Sequence, residues 1–316
     1  MNILEIKNLN LFFRSGDKEY QALHDVSVSL KKGEFLAIVG ESGCGKTITA
    51  MSVLRLLAPN ANIASGSIIY NGENLLSFSE REMQNIRGRE IALVPQDPMT
   101  SLNPLYTIGS QLIEVIETHQ KVYGSDAEKI AIDVLNQVKI PNAKERLNAY
   151  PHEFSGGMRQ RVIIAMAIAC KSKIIIADEP TTALDVTVQA QIMELLKDIQ
   201  KEMGTSFVLI SHDFGIVNDV ADSVAVMYGG HVVEYSSSKE LFKNPKHPYT
   251  KALLRTLPDF NSTKLEAIEG QPPSIKDYFE GCSFAPRCVS CMDICKVKKP
   301  ACHNVNNACV SCWLYQ

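Results

Sequence analysis

The chain has 316 residues, a net charge of −3 and 21% charged residues. That length supports one large domain or two smaller ones around a buried core, and the charge balance gives no polybasic surface for nucleic acid or lipid. The opening MNILEIKNLN carries charges early and lacks the apolar core of a secretory signal, and the longest apolar stretch, Val162–Cys170, has only nine residues. Nine residues cannot span a bilayer, so the chain is expected to be soluble and intracellular.

Apolar alternation marks strands at Val26–Leu30 and Glu34–Val39, with Lys31-Lys32-Gly33 as the turn between them. Residues Gly40–Thr47 then read G-E-S-G-C-G-K-T, which meets the P-loop pattern at every specified position. An amphipathic stretch through Ile48, Met51, Leu54, Leu56 and Leu57 follows, giving the strand–loop–helix context that this motif requires. From Gly40 through Ser42, Gly43, Cys44 and Gly45 the chain folds back on its glycines, so that successive backbone N–H groups face phosphate oxygens. Lys46 adds a charge-assisted contact to the β- and γ-phosphates, and the Thr47 hydroxyl is placed for Mg²⁺. This pattern predicts binding of a nucleoside triphosphate.

A short strand at Ile91–Val94 is closed by Gln96, whose amide has the reach for both a metal and a nucleophilic water. From about Tyr106 to Leu147 the pattern turns helical and more polar, as in an inserted helical subdomain. Phe154-Ser155-Gly156-Gly157-Met158 precedes the apolar helix at Val162–Cys170 and offers a second phosphate cradle at a helix N-terminus. Short apolar runs at Lys173–Ala177, Ser206–Ile210 and Ser223–Met227 alternate with helical segments, Val186–Met203 among them. That alternation predicts a mostly parallel sheet covered by helices.

The strand Ile174–Ala177 runs into two carboxylates, Asp178 and Glu179. Strand C-termini face ligands in α/β sheets, so Asp178 is placed to hold Mg²⁺ through its water shell and Glu179 to polarise the attacking water. His212, after the strand Ser206–Ile210, can donate to a γ-phosphate. Taken singly, Gln96 and His212 read as ordinary polar residues at strand ends and Ser155-Gly156-Gly157 as a turn. Further on, Tyr228-Gly229-Gly230-His231 reads as a hairpin turn into Val232–Glu234, and near Asn244–Pro248 the composition shifts toward Pro, Ser, Asn and Cys.

In that order, these residues resemble the ATP-binding subunit of ABC transporters over about residues 1–235. The resemblance implies an α/β fold, a P-loop NTPase of the ABC nucleotide-binding type, with a RecA-like core plus a helical subdomain at about 97–161. It places the ATP-binding domain at 1–245 and a small Cys-rich C-terminal extension at 246–316. Walker A is then Gly40–Thr47, the Q-loop Gln96, the signature Ser155–Met158, Walker B Ile174–Asp178, the catalytic glutamate Glu179, the D-loop Ala183-Leu184-Asp185 and the H-loop His212. Phe13 becomes the aromatic that stacks on adenine, with Tyr20 as the competing choice. Met158 departs from the family's usual Gln, and Phe154 stands in place of Leu. Met cannot supply the amide hydrogen bond, which implies a weaker composite site at this signature.

Pro95–Pro104 and Phe154–Arg161, with the tail segments His247–Thr250, Gly270–Pro273 and Gly281–Cys288, look like the peptide and nickel importer branch. Met158 and Thr181-Thr182-Ala183 look like its first, D-type, ATPase subunit. The branch implies ATP and Mg²⁺ as ligands and ATP hydrolysis coupled to uptake of di- or oligopeptides, with nickel as the alternative cargo. It further implies a paralogous ATPase as heterodimer partner, two transmembrane permease subunits and an extracytoplasmic solute-binding protein. The chain would sit peripherally on the cytoplasmic face of the cell membrane and bind no nucleic acid. DNA-repair and chromosome ATPases of the same fold insert a long coiled coil between Q-loop and signature, whereas 58 residues intervene here.

Seven of the nine cysteines (Cys282, Cys288, Cys291, Cys295, Cys302, Cys309 and Cys312) crowd into the last 35 residues. In a cytosolic chain such crowding points to a metal site more than to a disulfide framework. The family resemblance selects Cys282, Cys288, Cys295 and Cys312 as ligands of a structural 4Fe–4S cluster away from the ATP site, with Cys302 as rival fourth ligand. Zinc and unligated thiols are the alternatives, since soft thiolates suit zinc and iron–sulfur clusters alike.

Overall fold

The computed structural model describes residues 1–182, 184–256, 268–277 and 279–316. Ala183 of the D-loop lies outside the described residues. The chain divides into two compact units, Met1–Ser77 with Ile210–Gln316, and Phe78–Leu209.

The first unit begins with an antiparallel hairpin of two long strands, Asn2–Ser15 and Lys18–Lys31. Ala61–Tyr70 pairs with the other edge of Asn2–Ser15, and Glu73–Asn74 completes a four-stranded sheet. Leu9, Leu11, Leu23, Val26 and Leu30 are fully buried on one face. The register shifts between Ile6 and Leu11 against both neighbours, and Asn8 sits there at φ 48°. Such irregularities bend and twist a strand locally. The polar, Asn-rich letters of Asn2–Ser15 give little strand signal, and that strand was not foreseen from the sequence.

The same unit holds Phe35–Val39, buried at all five residues, and its parallel neighbour Ser223–Tyr228. Continuous apolar runs of this kind belong to parallel strands covered on both faces. Gly229 and Gly230 both take positive φ (51° and 78°), and the chain reverses into the antiparallel strand His231–Ser237 as expected of that dipeptide. Two short strands of the extension, Ala308–Val310 and His303–Val305, continue outward from His231–Ser237. The extension is thus hydrogen-bonded into the unit that carries the P-loop, with Ala308 and Val310 fully buried.

The second unit pairs Ile91–Val94 with Ile174–Asp178 in parallel. Helices Ile108–Gln120, Ser125–Gln137 and Ala143–Arg146 fill the region read as helical; the first two pack with Gly156–Ala169, the third with Ser125–Gln137, and Leu112, Ile116, Ala131, Leu135 and Ile164 are buried. Val186–Met203 is capped by the Asp185 carboxylate, which accepts from the Val188 N–H, and ends at Gly204 in the left-handed region. Arg161 ties its helix to neighbours through the Val138 carbonyl at 2.9 Å and the Gln191 side chain at 3.0 Å. No helix among the described residues is long and apolar enough to cross a membrane.

One half-buried pair in the first unit makes the stability of the fold depend on pH. His24 and His231 stack with ring centres 4.3 Å apart. Burial, reinforced by the Lys299 charge, pulls His24 down to about 4. Burial, then the neighbouring His24 and Lys299, pull His231 down to about 3. Folded values below the ordinary 6.5 mean that protons bind the unfolded chain first. The contribution is therefore complete above about pH 6.5 and is lost as pH falls through about 4 and then about 3. Melting temperature is expected to fall over that window, and His231→Phe, which keeps a flat ring without the proton site, should flatten the decline. An identical pH profile in this variant would contradict the assignment.

Candidate functional site

In the first unit, the buried strand Phe35–Val39 delivers Gly40 into a loop that leads to the helix Lys46–Leu54. Gly40 has φ 150°, and a Cβ there would lie 2.2 Å from the Met227 carbonyl oxygen and 2.8 Å from the Cys44 sulfur. Only glycine allows this approach. Gly45, at φ 105°, caps the helix with no side-chain hydrogen bond. An N-terminus built this way offers backbone donors and a positive dipole end to an anion.

Lys46 is 5% exposed. Its ammonium donates to the Gly40 carbonyl at 2.8 Å and the Glu41 carbonyl at 3.1 Å. Two neutral carbonyls leave a buried positive charge uncompensated, which is the electrostatic condition for recruiting phosphate. Ser42, Gly43 and Cys44 form the turn of the cradle, which the Cys44 N–H closes onto the Glu41 carbonyl and the Gly230 N–H braces at the Cys44 carbonyl. A Cβ on Gly43 would meet open space. These residues fit a nucleotide's phosphates, with Thr47 following Lys46 as the residue for Mg²⁺.

A cavity of about 170 Å³ opens beside Gly43, Gly45 and Ile48, and Tyr20 lines it. Phe13 lies directly across the hairpin from Tyr20 and is half-buried, but is not part of that lining. Pro273–Asp277 of the extension form another wall. His212, also in this unit, is exposed and immediately precedes Asp213, the cap of helix Phe214–Val220.

In the second unit, Asp178 ends its strand at 3% exposure and Glu179 turns away at φ 45°. The left-handed backbone is rare outside glycine and aims Glu179 off the strand axis. The Gln96 amide donates to Glu179 Oε2 at 3.0 Å, and the Thr182 hydroxyl donates to the same oxygen at 3.0 Å. The sequence pointed to Gln96 and Glu179 separately; the structure brings them together and adds Thr182, which only its place in E-P-T-T could have suggested. Ser155 caps the helix Gly156–Ala169 by accepting the Met158 N–H at 3.3 Å. A Cβ on Gly157 would come within 2.6 Å of Val188 Cγ1. The signature loop is therefore kept short of side chains by packing from below.

In the extension, Cys282, Cys288, Cys295 and Cys312 line one small cavity with His247 and Phe284. Burial, and then the neighbouring thiols, push Cys282 up to about 11. The four predicted sulfurs do converge, yet no group of three or more His, Cys, Asp or Glu among the described residues is arranged to hold a metal ion. This departs from the expectation of a formed metal site; Cys295 and Cys312 are buried and Cys282 and Cys288 half-buried. Cys302 and Cys309 lie at disulfide distance across the terminal hairpin, with Cα atoms 5.6 Å apart. Cys291 is a free, half-buried thiol.

Lys46→Ala should weaken Mg-ATP binding by about 1.5–3 kcal/mol, the usual contribution of a hydrogen bond to a charged group. Equilibrium titration reads this directly, and unchanged affinity would show that the loop does not hold phosphate.

The ABC transporter family matches residues 23–182, and the oligopeptide/dipeptide transporter C-terminal region matches residues 233–295. The dipeptide transport ATP-binding protein DppD of Bacillus subtilis is 47% identical over 99% of this chain and 94% of its own length. The oligopeptide transport ATP-binding protein OppD of the same organism is 47% identical over 99% of this chain and 88% of its own. Among solved structures, the ATP-binding cassette MJ0796, a dimer in a post-hydrolysis state bound to ADP and Pi, aligns at TM-score 0.66 and 27% identity, covering 74% of this chain and 98% of that one. The Clostridium perfringens protein cbiO1, part of an ABC transporter complex, aligns at TM-score 0.67 and 27% identity over 77% of this chain and 91% of its own. The chain belongs to the ABC transporter family, as an ATP-hydrolysing subunit with the C-terminal region of its oligopeptide/dipeptide branch.

Proposed function

We propose that this chain energises the import of di- or oligopeptides, working from the cytoplasmic face of the cell membrane. The observation that carries the reading is the near full-length likeness to dipeptide and oligopeptide transport subunits, with the branch's own C-terminal region in place. Nickel is the less favoured cargo, because the relatives named above transport peptides.

The chain's own residues divide the work. The N–H groups at Gly43–Thr47 and the Lys46 ammonium bind the β- and γ-phosphates, Tyr20 or Phe13 stacks on the base, and Thr47, Gln96 and Asp178 hold Mg²⁺. The metal, when bound, neutralises charge on the phosphates as the bond to the leaving group breaks. Glu179, held in place by Gln96 and Thr182, orients water in line with the γ-phosphorus, and His212 donates to the departing γ-phosphate. Ser155, Gly156 and Gly157 serve the nucleotide of an opposed subunit, which makes pairing with a paralogous ATPase necessary. Met158 offers no amide there. Two permease subunits and an extracytoplasmic solute-binding protein complete the assembly.

The test is ATP hydrolysis and peptide uptake by the reconstituted assembly with its solute-binding protein. Peptide should stimulate both; stimulation by nickel chelates and not by peptides would reverse the cargo assignment. Glu179→Gln, combined with the matching partner variant, should abolish turnover while ATP still binds. Wild-type turnover in that double variant would remove Glu179 from its role.

Cys282, Cys288, Cys295 and Cys312 are the proposed ligands of a 4Fe–4S cluster. The support is a set of four soft donors around one cavity, matching the order that the family resemblance implies. Such a cluster would cross-link the short segments that carry these cysteines. Protein purified without oxygen should be brown, absorbing near ~400 nm as thiolate-ligated iron does. Colourless protein with stoichiometric zinc and no iron would overturn this.

A further inference from the structure

The Cys-rich tail lies directly against the P-loop. Arg287, between Pro286 and Cys288, aims its guanidinium at Glu41, the second residue of that loop. Nη1 donates to Glu41 Oε2 at 2.7 Å and Nη2 to Oε1 at 3.0 Å. A two-pronged bond of this kind fixes both the position and the plane of the carboxylate. The guanidinium is itself held, since Nη1 also donates to the Tyr228 hydroxyl at 3.2 Å and Nε to the Glu269 carbonyl at 2.9 Å. The Arg287 side chain is only 5% exposed, so solvent and salt screen this pair far less than a surface ion pair.

Glu41 is fixed through its backbone as well. Its N–H donates to the Tyr249 hydroxyl at 3.0 Å, and its carbonyl accepts from the Lys46 ammonium at 3.1 Å. Tyr228, Tyr249 and the tail's Phe284 meet at steep angles with ring centres 4.5, 5.1 and 5.2 Å apart, and all three are buried. Phe284 and Arg287 stand on one short turn, Ala285–Arg287, bounded by Cys282 and Cys288. The tail therefore places a cation on the residue that helps to hold Lys46, and an aromatic ring against Tyr249, which accepts that residue's N–H.

We propose that Arg287 is a positioning residue for nucleotide binding: by locking and neutralising Glu41 it sets the Lys46 ammonium and the field that phosphate meets in the loop. The proposal rests on the reading of Gly40–Thr47 as a nucleotide cradle. Without Arg287, the Glu41 carboxylate loses its cation beside a loop built for anions, and its carbonyl is released from one of its restraints. Both effects weaken phosphate binding.

Calorimetric titration of Mg-ADP into the full-length chain tests this, because ADP engages the P-loop without needing an opposed subunit. Arg287→Ala should raise the ADP dissociation constant about tenfold or more, the scale of a lost charged hydrogen bond. Arg287→Lys keeps the charge without the fork and should fall between wild type and Arg287→Ala, which also serves if the alanine variant does not fold. Glu41→Gln should cost less affinity in the Arg287→Ala background than alone, since its partner is already gone. In the assembled transporter the KM for ATP should rise by a larger factor than kcat falls. A purely structural role would lower the melting temperature while ADP affinity stayed within about twofold of wild type, and that result in a folded Arg287→Ala or Arg287→Lys variant would overturn the proposal. If wild-type chain fails to bind ADP, the cradle reading itself fails; wild-type binding with unaffected variants sinks the Arg287 role alone.

Discussion

A buried ammonium is the constraint around which the nucleotide half of this protein is arranged. Lys46 lies almost fully out of water with two carbonyl partners and, among the described residues, no carboxylate partner. An unpaired buried cation is costly, and the cost is relieved when an anion enters the loop. The surrounding features follow from keeping that lysine in place and the loop open. Gly40 passes under the Met227 carbonyl where no side chain fits, Gly45 starts a helix without a cap, and Glu41 presents its carbonyl to the ammonium. The C-terminal extension, through Arg287, Phe284 and its contacts with Tyr228, finishes the arrangement.

The second unit carries a different kind of preorganisation. Glu179 sits in a backbone conformation that few non-glycine residues take, and two neutral donors, Gln96 and Thr182, hold one of its oxygens. Together these two donors fix the orientation of that oxygen. Asp178, one residue earlier, stays buried at the strand end.

Much of this was legible in the letters. The glycine spacing of the P-loop, the apolar strand ending in Asp178-Glu179 and the Gly229-Gly230 hairpin each follow from local chemistry, and the structure has them where the sequence puts them. What was not legible depends on contacts far apart in sequence. The strand Asn2–Ser15 has too little alternation to announce itself, because bulges break its register. Arg287 stands inside a motif that was read for its cysteines, yet its partner Glu41 lies 246 positions away. The tail was expected to be a small module whose cluster lies away from the ATP site; its strands extend the P-loop unit's sheet and its Arg287 reaches the loop. Periodicity also could not separate Cys302, which lies at disulfide distance from Cys309, from the four sulfurs that share a cavity.

The central claim is that the P-loop and the tail turn around Arg287 respond to nucleotide as one body. Hydrogen exchange on the full-length chain, with and without saturating Mg-ADP, measures this most directly. The account predicts that nucleotide slows exchange in residues 40–49 and, together with them, in residues 284–288. Protection confined to the P-loop, with the tail exchanging at its unliganded rate, would contradict it.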